Sequence, residues 1–500
     1  MTVLEMNLAT IRLKQPELAE NLQRSHTGTA YKGVVPAKTG EPVPLFASGQ
    51  TLQSLYNPAR EAERLLVAAT GFMLFCGLGN GIQIKVFLDK CPQSCCAITE
   101  SDYESFKQLL SLIDYTELFA DSRVFLLPPC TDDTFEIALT AAYLPAVHGT
   151  FGYHILRTWN EYYKAHVKDL PEKIEHALEK IKADFSVQAH FGKIWLRNTF
   201  LNLRLAGSIK PAYPRTDTTR TALILGAGPS LEVGLSLLKK ERRQYTVFCT
   251  DTAFPTVCAS GITPEFFIAI DPQHISYQHT IGAISKETTG IFDLSAQTTG
   301  ARHFYENGNA FFFTAGGHPL VQAAALFSPF PALATSSGTV AVAAYHAAQA
   351  LGYRHIECSG MDFAYTGGKA YSRGTYLSAQ YAGIAMRICP QEHSFVRLMF
   401  RTETYSEQTA QGLNYRTTLL DSYRAAFEAE KRHISSWKQN DFQQFPYTAF
   451  LASFTENLKQ NSRDTVMSLL PALAWCKAHR KRNLTDMELV LEFISEYTDL

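Results

Sequence analysis

Gly226, Gly228, Pro229 and Ser230 follow directly on the apolar run Thr221-Ala-Leu-Ile-Leu225 and lead into Leu231-Glu232, so a strand stops at a glycine turn and restarts as a helix. Such a junction is an anion site. The two glycines, with Ala227 between them, let the backbone turn tightly and approach a ligand, Pro229 presets the first helical turn, and Ser230 sets a hydroxyl beside unpaired amide donors. A phosphate-bearing ligand is the expected guest, although such a turn by itself serves equally well as plain structure. Three further segments carry side chains of the same use. Asp251 and Thr252 follow one apolar run, Asp271 and Gln273 follow another, and Ser337-Gly338-Thr339 goes with Ser359-Gly360-Met361-Asp362-Phe363. Open α/β sheets bind ligands beyond the carboxyl ends of their strands, so the four segments are expected to converge.

The elements that must hold them are legible as short apolar runs at 222–225, 246–249, 266–270, 310–313 and 355–358, separated by helical stretches. That alternation predicts an α/β fold with a mainly parallel sheet over a central domain, 211–416. Before it, residues 1–150 read as an irregular lead-in followed by a smaller Rossmann-like α/β unit. There Gly77, Gly79 and Gly81 with Glu100 imitate a dinucleotide or methyl-donor fingerprint, the acid standing where ribose hydroxyls would be held. A Rossmann-like unit that binds nothing is the plainer reading. Residues 151–210 predict a helical connector with a solvated charged face, and 417–500 a helical C-terminal region.

Composition narrows the classes. A chain of 500 residues with 46% hydrophobic and 19% charged residues is globular and is expected to form two or three domains. A net charge of -1 gives no broad field toward nucleic acid or acidic lipid. No apolar run reaches the roughly 18 residues of a membrane span and the N-terminus has no basic-then-apolar leader, so a cytoplasmic location is expected. The ten cysteines lack a matching second cluster at metal spacing, which predicts free buried thiols.

The order of the four segments resembles the bacterial sialyltransferases that use CMP-sialic acid. These have a Gly-x-Gly-Pro-Ser-Leu turn, two later strand ends at the donor, a Ser-Gly helix start, and a Leu-Gly-Tyr strand leading to Gly-Ile-Asp-Phe. Leu351-Gly352-Tyr353 through Gly360-Met361-Asp362-Phe363 carries the strongest part of the match. Over most of its length the chain resembles the motility-associated factor family of flagellin glycosyltransferases, whose central part is also similar to the hydroxymethylpterin diphosphokinases. The resemblance implies a CMP-activated nonulosonic acid of the pseudaminic or legionaminic kind as donor, and Ser or Thr hydroxyls of flagellin as acceptors. It places Gly226, Ala227, Gly228, Pro229 and Ser230 around the donor phosphate and nucleotide, and Ser337, Gly338 and Thr339 at a helix start facing nucleotide or sugar. Gly360, Asp362 and Phe363 would meet ribose and cytosine, and Tyr371 the phosphate.

The departures bear on mechanism. Ala227, Asp251 and Asp271 stand where the sialyltransferases have asparagine. A carboxylate about 4 Å from a phosphate is repelled by roughly 4 kcal/mol at an effective dielectric near 20, so Asp251 and Asp271 either face hydroxyls or hold a cation such as magnesium. The sialyltransferase base histidine has no counterpart, which leaves His318 and His274 as the candidates by position. Two other classes stay open: an ATP- and magnesium-dependent diphosphokinase, and a noncatalytic flagellar accessory factor.

Overall fold

The computed structural model of the chain describes residues 1–66, 70–282, 284–409, 412–460, 462–479 and 485–498. Two compact units follow each other along the sequence, Met1–Ala189 and His190–Leu500.

The first unit opens with the helices Val3–Lys14 and Pro16–Arg24 and an antiparallel hairpin, β1 (Tyr31–Pro36) and β2 (Pro42–Phe46). Four parallel strands come next: β3 (Phe72–Cys76), β4 (Cys95–Thr99), β5 (Val124–Leu126) and β6 (Phe151–Ile155), in the order β5-β4-β3-β6. β3 is buried at every position. Its unalternated Phe-Met-Leu-Phe-Cys is what a strand covered on both faces requires. β6 lies beyond residue 150, inside the stretch expected to be a helical connector. Its Phe-Gly-Tyr-His-Ile is half-exposed along the sheet edge and too short and mixed to announce itself. The connector proper is one helix, Leu170–Ser208, with Pro171 in its first turn, where a missing N–H breaks no intrahelical bond.

The second unit holds six parallel strands, β7 (Thr221–Leu225), β8 (Tyr245–Thr250), β9 (Phe266–Ala269), β10 (Thr289–Asp293), β11 (Phe311–Thr314) and β12 (Ile356–Ser359). Their order is β11-β10-β9-β8-β7-β12. β10 has no counterpart in the sequence reading, because Thr-Gly-Ile-Phe-Asp offers only two apolar residues, Ile291 and Phe292, beside a glycine and an acid that disfavour strands. It is nonetheless a central strand. The helix Val340–Ala350 presents Ala343, Ala344, Ala347 and Ala348, all fully buried, to Ile224, Phe248 and Ile268, and alanine is what lets a helix backbone lie that close to a sheet. A small antiparallel sheet, β13 (Tyr365–Thr366), β14 (Tyr405–Thr409) and β15 (Gly412–Arg416), follows in the order β13-β15-β14. The C-terminal region is helical as expected, over Thr418–Glu430, Tyr447–Lys459, Leu470–Ala478 and Asp486–Thr498.

All ten cysteines are free. The expectation that they are buried holds for Cys76, Cys96, Cys130, Cys249 and Cys476, while Cys91, Cys95, Cys258 and Cys389 are half-buried and Cys358, on the edge strand β12, is exposed. No helix among the described residues is long and apolar enough to cross a membrane.

Candidate functional site

The glycine turn after β7 and the segment after β12 interlock. Gly226 N donates to Ser359 O at 2.9 Å and Gly228 N to Gly360 O at 2.8 Å. A Cβ on Gly228 would stand 2.0 Å from Asp362 Oδ2 and 2.7 Å from Gly360 O, so no side chain fits there. Ser230 Oγ donates to Asp362 Oδ2 at 2.8 Å and accepts from Gly360 N at 3.1 Å, while Ser230 N faces both Asp362 oxygens at 3.3 Å. Ser230 and Asp362 therefore do meet in one place. Their pairing changes the expected roles, because the first free amide of the helix Leu231–Glu241 already has the chain's own carboxylate as its anion. Asp362 is correspondingly turned toward Ser230. Phe363 is the sole described non-glycine residue with positive φ, at 48°, and its ring packs on Phe427 at 5.4 Å.

A strap runs on from there across the turn. Ser372 N donates to Ala227 O at 2.8 Å, and Glu232 Oε1 and Oε2 hold Arg373 N at 3.0 Å and Lys369 Nζ at 2.9 Å. Pro229 is buried beneath it.

The next two strand ends carry the acids. Asp251 is buried, and its Oδ1 accepts from Thr252 N and Oγ1 at 2.6 and 3.1 Å, while Oδ2 has no partner. Burial raises its pKa, His279 lowers it and Asp271 raises it further. Asp271, on the neighbouring strand end, accepts from Gln273 N at 2.9 Å, and Gln273 itself is exposed. Among the described residues no three His, Cys, Asp or Glu side chains gather to hold a metal ion. What the chain offers magnesium is Asp251 Oδ2 and the second oxygen of Asp271, a donor set that needs nucleotide oxygens to complete it.

Sequence reasoning missed a third acid in the row. Asp293 ends β10, is buried with its pKa pushed up to about 6, and bonds Ser295 N at 2.8 Å. The one signal for it was its place at the end of a strand too weak to recognise.

Above this edge stand four tyrosines. Tyr371 is pushed up to about 12 by burial first, with Tyr376, Tyr365 and Tyr423 adding to the rise and Arg401 opposing it. Tyr376 and Tyr423 also feel Asp271, so the cluster and the acids share one region. Tyr376, Tyr423, Arg401 and His279 lie on helices and turns whose sequence gave no phosphate or sugar signal. At the start of the helix Val340–Ala350, Thr339 Oγ1 caps Ala341 N at 3.4 Å, Gly338 has φ 70°, and Ser337 Oγ is buried without a partner.

The two histidines expected to act as base fare differently. His318 follows β11, two strands and roughly 10 Å beyond β9. Burial pushes its pKa down to about 3, both ring nitrogens lack partners, and the ring packs on Trp195 at 5.2 Å. A group this weakly basic is a poor proton acceptor near neutral pH. His274 is exposed and packs on Tyr277 at 5.3 Å.

In the first unit the imitation fingerprint is filled from within. A Cβ on Gly79 would meet Gln53 Nε2 at 2.2 Å and one on Gly77 would meet the Trp159 ring at 2.9 Å. Glu100 is fully buried, accepts from Leu78 N and from Trp159 Nε1 at 2.8 Å, and is pushed up to about 7 by burial. Its carboxylate is bound to the chain and has no face for ribose.

Residues 195–368 match the family described as MptE-like, 6-hydroxymethylpterin diphosphokinase MptE-like. An uncharacterized protein of Treponema pallidum (strain Nichols) is 39% identical over 248 residues, 49% of this chain and 89% of that protein. A second from the same organism is 44% identical over 167 residues, 33% of this chain and 80% of that one. Among solved structures, the MAf glycosyltransferase from Magnetospirillum magneticum AMB-1 is similar with a TM-score of 0.52 at 15% identity, covering 99% of this chain and 89% of that chain.

Proposed function

We propose that this chain, which belongs to the same protein family as those treponemal proteins and has the fold of a MAf glycosyltransferase, moves a nonulosonic acid of the pseudaminic or legionaminic type from its CMP donor to Ser or Thr hydroxyls of flagellin. The observation that carries the reading is the carboxyl edge of one parallel sheet, where the Ser230–Asp362 pair, Asp251 and Asp271 end three neighbouring strands and one flanking strand. That edge is where such sheets bind nucleotides. The motif order from Gly226 to Phe363 supports the sialyltransferase-like donor.

In the transfer the acceptor oxygen bonds to the anomeric carbon, the bond from that carbon to the phosphate oxygen breaks, and its electron pair leaves with CMP. The acceptor proton passes to a base or to water. Phosphate is a good leaving group, so donors placed at its oxygens contribute more than acid catalysis would. Magnesium, if used, would be held by Asp251 and Asp271 and would neutralise charge on the departing phosphate.

The match of 195–368 to an MptE-like family supports a second reading, an ATP- and magnesium-dependent diphosphokinase. Co-expression of flagellin, this chain and a donor-sugar pathway, read by intact mass, tests the first. A flagellin mass raised by whole sugar units is the expected result. An unchanged mass refutes transfer, and tight ATP binding by the isolated protein then favours the kinase.

A further inference from the structure

The glycine turn is already supplied with an anion, because Asp362 takes the hydroxyl and faces the amide of Ser230. A nucleotide phosphate placed there would have to displace one negative charge with another. A second region of the same edge has the opposite need. Arg401 is exposed, and it follows Phe400, whose ring packs on Tyr415 at 5.1 Å, itself paired across the sheet with Tyr365. This fixes Arg401 beside β13 and β15. Its charge acts on the phenols of Tyr365, Tyr371 and Tyr423, which come from three separate segments. Nearby Arg416 is held by Glu407 and Asp421, whereas Arg401 forms no ion pair with any described residue. Tyr423 Oη in turn lies 4.0 Å from where a Cβ on Gly338 would be, next to the buried and unpartnered Ser337 Oγ and the start of an 11-residue helix.

We propose that Arg401, with the hydroxyls of Tyr371, Tyr423 and Ser337, forms the seat of a nucleoside phosphate monoester, beside the strap whose Ser372 N binds Ala227 O of the glycine turn at 2.8 Å. The inference rests on the reading above that a nucleotide is the guest. It adds a cation, Arg401, and one hydroxyl donor, Tyr423, to the Tyr371 and Ser337 that the family resemblance already implies at the donor. A cation, phenolic O–H donors and a helix start converging on one point form an anion site of the charge-assisted kind, and its donors would meet the phosphate as charge grows on it.

Calorimetry on the full chain tests this with CMP, cytidine and ATP against wild type, R401Q, R401K and Y423F, each checked for an unchanged unfolding midpoint. CMP is expected to bind wild type more tightly than cytidine. R401Q should lose on the order of ten- to a hundredfold in CMP affinity and nothing in cytidine affinity, as removal of one charge-assisted bond predicts. R401K should recover part of the loss, and Y423F should lose less than R401Q. R401Q that binds CMP as wild type does overturns the seat and leaves the transfer reading standing. A wild type that binds neither CMP nor ATP better than cytidine also overturns the seat, and a glycosylated flagellin would then still uphold transfer. Tight ATP binding that R401Q weakens, with no CMP binding, keeps the seat and removes the transfer reading.

Discussion

Gly228→Ala probes the joint between β7 and β12 with a single methyl group. Gly228 is not in the left-handed region, so the substitution carries no backbone strain, and the whole effect comes from contact. The new Cβ would lie 2.0 Å from Asp362 Oδ2 and 2.7 Å from Gly360 O, where ordinary contact begins near 3.4 Å. The carboxylate can swing aside. The carbonyl cannot, because it is backbone and also accepts from Gly228 N at 2.8 Å, so the strand ends must part. Overpacking of this kind costs about 1–3 kcal/mol, and the disturbed Ser230–Asp362 bond adds about 1 kcal/mol at its exposed position, giving about 2–4 kcal/mol in all. Guanidinium unfolding followed by tryptophan fluorescence should show a lower midpoint with an unchanged slope. The double variant G228A/D362A should recover part of the loss, since the carboxylate is one of the two obstacles. A G228A protein within 0.5 kcal/mol of wild type (~0.5, the scatter of surface substitutions), or a D362A background that gives no relief, would refute this packing.

Three other outcomes follow from the same geometry. Glu100 is raised from 4.5 in the unfolded chain to about 7, so folding takes up a proton between those values. The stability it contributes is present at acid pH and falls by about 3 kcal/mol as pH rises from 4.5 to 7, and urea midpoints across that range should show the slope in wild type and lose it in E100Q. His318 has the opposite sign, lowered to about 3, so its contribution is present above pH 6.5 and is lost as pH falls toward 3. H318F should remove that acid-side loss and raise the unfolding midpoint at neutral pH, because two unpartnered ring nitrogens leave the interior. E232A frees Lys369 and the amide of Arg373 from the glycine-turn helix. Trypsin should then cut after Lys369 or Arg373 faster than in wild type while global stability changes by less than about 1 kcal/mol, as expected for a partly exposed ion pair.

Four of the strand ends that define the candidate site were legible in the sequence, because an apolar run of four or five residues ending at Gly, Asp or Ser is a local signal. Thr221–Leu225 before Gly226, Tyr245–Thr250 before Asp251 and Ile356–Ser359 before Gly360 all lie within a residue or two of where the runs place them. β10 was not, since a central strand of Thr-Gly-Ile-Phe-Asp is held by its neighbours and not by its own propensity. Asp293 was lost with it.

What the residues then do was decided in three dimensions. Ser230 and Asp362 are 132 positions apart, and only the pairing of β7 with β12 brings a carboxylate to the amide that a local reading would leave open for phosphate. Glu100 and Trp159 are 59 apart, and their bond closes a fingerprint that looks vacant in the linear chain. The sequence by itself determines strands, turns and the presence of acids, because these depend on neighbours a few residues away. Which charges are answered within the chain and which, like Arg401, form no ion pair among the described residues depends on distant segments, which only the folded chain brings together.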